Sequence, residues 1–86
     1  MIHNMYAIYD TVAEFFNRPF YEHNDNSATR AFLDSLEKQE MTKERKLEYI
    51  LYYVGQFDDA KGEIRPEMPK KVYSGFDIKN KEVKEA

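Results

Sequence analysis

Residues 49–57 read Tyr-Ile-Leu-Tyr-Tyr-Val-Gly-Gln-Phe, and the first six are apolar or aromatic without a break. This stretch is too short to span a membrane, and its aromatic and β-branched content favours a strand over a helix. Alternation places Tyr49, Leu51, Tyr53 and Phe57 on one side, and Ile50, Tyr52 and Val54 on the other. Neither side turns polar before Gln56, so the pattern predicts a central strand that needs cover on both faces.

The other elements follow from weaker rhythms. Residues 1–4 have little pattern and read as a loose end. Residues 6–10 (Tyr-Ala-Ile-Tyr-Asp) are short and β-rich, which predicts a first strand. Residues 11–17 fit either one helical turn or an irregular stretch leading to a second strand. Pro19 fixes its own φ and pushes Arg18 toward extended geometry, so residues 20–23 read as a strand near a sheet edge. Asn24-Asp25-Asn26-Ser27 is a dense helix-start signal. The helix it opens runs to about Gln39, with Ala28, Ala31, Phe32, Ser35, Leu36 and Gln39 on one face. Arg30, Asp34, Glu37 and Lys38 face water, Asp34 and Lys38 at ion-pair spacing. Residues 40–46 are highly charged and read as a connector or as a prolongation of the helix. Asp58-Asp59-Ala60-Lys61-Gly62 has the residues of a hairpin turn. A returning strand is predicted at 63–65. Pro66 and Pro69 argue against a long regular element there, and 71–76 fit one more short strand. Residues 79–86 are charged and terminal, which predicts a disordered tail. The expected fold is a single α+β domain over 1–78: a small, mostly antiparallel sheet of about four strands with one main helix on one face, in the order β-β-α-β-β.

Composition narrows the functional classes. Eighty-six residues make one domain with a small core. The absence of cysteine excludes a disulfide frame and a thiolate metal site. With no leader pattern and no long apolar run, neither secretion nor a membrane is expected. The net charge of −3 argues against a purely electrostatic nucleic-acid binder. Yet residues 1–40 hold seven acids and three bases, whereas 41–86 hold nine acids and ten bases. A basic stripe is therefore available from Lys43, Arg45, Lys46, Lys70 and Lys71.

Candidate chemistry is sparse. Asp58-Asp59 with Glu63 is the most visible carboxylate group, and a divalent metal or a nuclease centre is its functional reading. A hairpin turn uses the same residues and is the favoured reading. His3 and His23 lack the partners a zinc site requires. There is no phosphate-cradling glycine loop and no Ser/His/Asp spacing. The chain therefore reads as a non-enzyme without cofactor or metal. The thirteen Tyr and Phe residues carry more information. Single-stranded DNA is held by aromatic platforms beside a basic track. Tyr9, Tyr21, Tyr49, Tyr52 and Tyr53 are candidate platforms, and Arg18, Arg45, Lys46, Lys70 and Lys71 the candidate track. The competing reading places most of these rings in the core.

The order of motifs also carries a resemblance. Tyr6-Ala7-Ile8-Tyr9-Asp10 with Ala13, then Pro19-Phe20, then Asn24-Asp25 with Ala28, Arg30 and Phe32, lead to Leu51-Tyr52 with Gly55, Phe57, Asp58 and Gly62. Over residues 5–78 this succession resembles the small non-structural protein of gokushoviruses, single-stranded-DNA phages of the microvirus family. The resemblance implies a viral protein of the host bacterial cytoplasm, absent from the mature coat and DNA-binding, with a part in single-stranded genome synthesis and packaging. It carries over no binding or catalytic residue, so the residue assignments rest on physical chemistry. The strongest set for single-stranded DNA is Arg18, Tyr21, Arg45, Lys46, Tyr52, Lys70 and Lys71. One helix covers one face of a sheet, so the second apolar face predicts a homodimer or another partner. The alternative function is an interaction module for a host replication factor or a viral capsid protein. Bases converging beside exposed tyrosines favour DNA, whereas bases scattered and paired with acids favour a protein partner.

Overall fold

The computed structural model describes residues 1–77, so the tail expected at 79–86 lies outside the described residues. The chain forms an α+β fold with β1 (Ile2–Asp10), β2 (Phe15–Phe16), β3 (Phe20–Glu22), α1 (Asp25–Lys38), α2 (Lys43–Lys46), β4 (Tyr49–Asp58) and β5 (Glu63–Ser74). Every pairing is antiparallel. β4 lies between β1 and β5, while β2 and β3 share the other edge of β1. The apolar stretch is thus the central strand its composition predicts.

α1 starts where the capping signal places it. The Asn24 side chain accepts from the Ser27 amide at 2.9 Å, and the Ser27 hydroxyl accepts from the Asn24 amide at 3.1 Å. Ala28, Phe32 and Leu36, spaced by four, are buried against Tyr6, Tyr49 and Leu51 of the sheet. Ile8, Phe20, Leu33, Tyr53, Val72 and Tyr73 pack around that cluster. Gln39 is the exposed C-cap and not part of the buried stripe. Glu40, at φ 51°, ends the helix, and Thr42 caps α2 through the Arg45 amide. The charged connector is therefore a second, one-turn helix. Glu37 pairs with Lys46 at 2.7 Å, and no ion pair joins Asp34 to Lys38 among the described residues.

Three expectations for the strands are corrected, and one open alternative is decided. Residues 2–4 are strand, because Ile2, His3 and Asn4 pair with Asp58, Phe57 and Gln56. Of the two readings of 11–17, the irregular stretch leading to a strand holds: residues 11–14 form a turn, with the Val12 and Ala13 amides held by Asp10, and lead to β2. β5 runs unbroken through both prolines and ends at Ser74, after which 75–77 turn helical. The prolines are tolerated because β5 is an edge strand, where a missing N–H breaks no ladder on the open side. The register also slips there: between the pairs Tyr53–Lys70 and Gly55–Pro66, β4 has one residue and β5 three.

The third correction is Phe57. Tyr6 pairs with Tyr53 and Met5 with Gly55, which leaves Val54 as an extra residue on β4. A one-residue bulge reverses the alternation beyond it. Phe57 therefore leaves the side of Tyr49, Leu51 and Tyr53 and joins the opposite face beside Tyr21. Gly55 permits the bulge. Its φ is 138°, and a Cβ there would collide with the Arg65 carbonyl oxygen.

Candidate functional site

The face of the sheet turned away from α1 carries two aromatic clusters. In the first, Tyr9, Phe16 and Tyr52 contact one another, with ring centroids 4.8, 5.6 and 6.4 Å apart. Register brings them together, because Tyr9 pairs with both Phe16 and Ile50, and Tyr52 lies opposite Ala7. In the second, Tyr21 stacks on Phe57 at 6.0 Å and 9°, and His3 approaches Tyr21 at 5.4 Å. Tyr21 and Phe16 remain 52% and 42% exposed. Met5 and Ala7 are buried yet lie outside the helix-side core. They stand opposite Tyr21 and Tyr52 in register, so they form the floor beneath the rings. Ile64, opposite Phe57 and 61% exposed, extends the apolar strip along the hairpin.

The residues expected to bind DNA divide between this face and other places. Tyr21 and Tyr52 are on it. Arg18 is exposed in the loop between β2 and β3, which carry Phe16 and Tyr21, and Lys71 lies opposite Tyr52. Arg45 and Lys46 belong to α2, where Lys46 is held by Glu37. Lys70 lies opposite Tyr53 and reaches Glu67 at 3.8 Å, while Lys71 reaches Asp77 at 3.5 Å. Of the wider tyrosine set, Tyr9 is on the open face, Tyr49 is buried in the helix-side core, and Tyr53 packs beside that core. Phe16, Phe57 and His3 are the members that sequence reasoning missed. Phe16 is marked by its place two residues before the Arg18-Pro19 break, and the signal for the bulge that moves Phe57 is Gly55, an isolated glycine inside a strand.

On the helix side, Asn4, Tyr6, Asp25, Tyr53, Lys70 and Lys71 line a cavity of about 560 Å³. The Tyr6 hydroxyl donates to Asp25 at 2.8 Å. Burial, then that carboxylate, push the Tyr6 phenol well above its ordinary range. Burial, then the charges of Glu67 and Asp25, raise Tyr53. Both phenols are hydroxyl donors at neutral pH, not nucleophiles.

The paired aspartates have structural work. Asp58 is buried, accepts from the Ala60 amide at 3.0 Å and lies 3.8 Å from Arg65. Asp59 holds the Met1 amino group at 2.6 Å and His3 at 2.7 Å. The amino group first, then His3, keep the Asp59 carboxyl below the usual carboxylate range. Glu63 pairs with Arg65 at 3.0 Å. Among the described residues no three acidic or histidine side chains converge as a metal centre requires, and no helix is long and apolar enough to cross a membrane.

A protein-family model described as Phage ORF5 protein matches residues 3–78, most of the chain and nearly all of the fold described above. No curated protein and no solved structure matches the chain.

Proposed function

The chain belongs to the phage ORF5 protein family, and from that premise we propose that it is a non-enzymatic, non-structural protein of a gokushovirus-type phage that binds single-stranded DNA. It acts in the host bacterial cytoplasm during genome replication or packaging. The observation that carries the reading is the sheet face that α1 leaves uncovered, with its two aromatic clusters. Unpaired bases offer flat faces to Tyr21, Phe16 and Tyr52, each stack contributing roughly 1–3 kcal/mol. A duplex hides those faces, so the platform selects single strands. Phosphate contacts are few. Arg18 borders the face, while Lys46 is held by Glu37, and Lys70 and Lys71 line the helix-side cavity.

This division fixes the salt dependence. A single phosphate contact gives a slope of log K against log salt of about −0.7 on a single strand, far shallower than an electrostatic binder shows. Fluorescence anisotropy of a labelled oligonucleotide, titrated at several salt concentrations, measures it. Micromolar binding with a shallow slope supports the reading. No binding at low salt by folded protein overturns it.

The pairing of Lys46, Lys70 and Lys71 with acids favours a second reading, in which the same face takes a protein: a second copy in a homodimer, a viral capsid protein or a host replication factor. Sedimentation of the pure protein separates the first of these from the rest.

A further inference from the structure

We propose that the cavity between the first turn of α1 and β5 binds a guanine nucleoside monophosphate, independently of the aromatic face. Its volume of about 560 Å³ lies within the range of small-ligand sites. Its chemistry is split. Asp25 and Asn26 come from the first turn of α1, Lys70 and Lys71 from β5, and Asn4 and Tyr53 from β1 and β4. The helix amides do not supply the site, because the Asn24–Ser27 capping box already occupies that end of α1.

The acid and the two lysines each match one end of the ligand. Lys70 and Lys71 have exposed side chains held only by long contacts, 3.8 Å to Glu67 and 3.5 Å to Asp77. Such contacts contribute little and are readily exchanged for a phosphate dianion. Asp25 uses one oxygen for the Tyr6 hydroxyl. A carboxylate has about four acceptor positions, so most of its capacity remains. Among the four DNA bases, guanine alone has two N–H donors side by side on its pairing edge, N1–H and the 2-amino group, which match the two oxygens of a carboxylate. Adenine and cytosine set a ring acceptor beside their amino group, and thymine flanks its single donor with two carbonyls. The Asn26 side-chain amide has no partner among the described residues and is a donor for the guanine 6-oxygen.

Amide chemical-shift titration with dGMP, dCMP, deoxyguanosine and inorganic phosphate tests the proposal. Addition of dGMP is expected to move Asn4, Asn26 and Lys70 and to leave Phe16 and Tyr21 in place. Deoxyguanosine and phosphate are each expected to bind roughly tenfold more weakly or worse. Asp25→Asn keeps an acceptor for Tyr6 and abolishes the preference for dGMP over dCMP. Lys70→Ala with Lys71→Ala weakens dGMP but not deoxyguanosine. Asn26→Ala, at an exposed position, weakens dGMP without touching the fold. No shift at about 10 mM dGMP, equal response to dCMP, or shifts confined to the aromatic face overturns the proposal. Tyr21→Ala keeps it distinct from the DNA reading, because that change weakens an oligonucleotide and leaves dGMP binding unchanged.

Discussion

Gly55 sets the layout of the aromatic face. At φ 138°, with the Arg65 carbonyl oxygen where a Cβ would stand, it allows Val54 to bulge and turns Phe57 toward Tyr21. Gly55→Ala is expected to destabilise the protein by at least about 1 kcal/mol, measured by urea unfolding, because alanine is strained at positive φ. The Tyr21–Phe57 stack should loosen with it, visible in near-ultraviolet circular dichroism. Asp59 makes a different kind of prediction. Its carboxyl is depressed, by the Met1 amino group first and His3 second. A depressed acid stabilises the fold above its ordinary value near about pH 4 and loses that contribution as pH falls through the folded value. Asp59→Asn should therefore lower the melting temperature at about pH 6, and the gap to the parent should narrow as the pH falls below about 4. At this scale the sequence was only partly legible. The turn role of Asp58 followed from Asp-x-x-x-Gly chemistry. The bulge was marked only by Gly55, an isolated glycine within a strand, because Val54 is as apolar as its neighbours and the alternation shows no break until Gln56.

The elements divide by whether local chemistry or position in the sheet decides them. α1 was readable because its cap and its i, i+4 apolar stripe are local, and Ala28, Phe32 and Leu36 lie where that stripe puts them. β4 was readable as central from its two apolar sides. β5 was not, because a proline excludes a strand only when both its edges are paired, and a sequence does not say which strand is outermost. Pro66 and Pro69 protect that open edge from pairing with another chain. Replacing both by alanine should change unfolding free energy by less than about 1 kcal/mol, since the edge ladder gains no partner in the monomer. The same variant should aggregate faster on mild heating, followed by light scattering. A large loss of stability instead would mean that the prolines hold the register slip opposite Val54.

For the whole molecule, one helix faces a sheet that is apolar on both sides. That imbalance was legible: the sheet, the helix and the uncovered face follow from the pattern around residues 49–57. The arrangement of charge was not, because Lys46 and Glu37 are brought together only by the break at Glu40. The two faces should respond oppositely to the loss of one ring. Phe32 is fully buried in the helix-side core, and Phe32→Ala should cost about 3–5 kcal/mol. A small domain has about 5–15 kcal/mol in all, so this variant should be largely unfolded when heated modestly. Tyr21 is half exposed, and Tyr21→Ala loses little burial, so its melting temperature should fall only slightly. If the open face is a base-stacking platform, Tyr21→Ala should still weaken oligonucleotide binding by roughly 1–3 kcal/mol, about five- to 150-fold. A Tyr21→Phe control keeps the ring and should bind as the parent does. Stable Tyr21→Ala protein with undiminished binding would remove the aromatic face from the DNA reading. A self-association lost in the same variant would assign that face to a second copy of the chain.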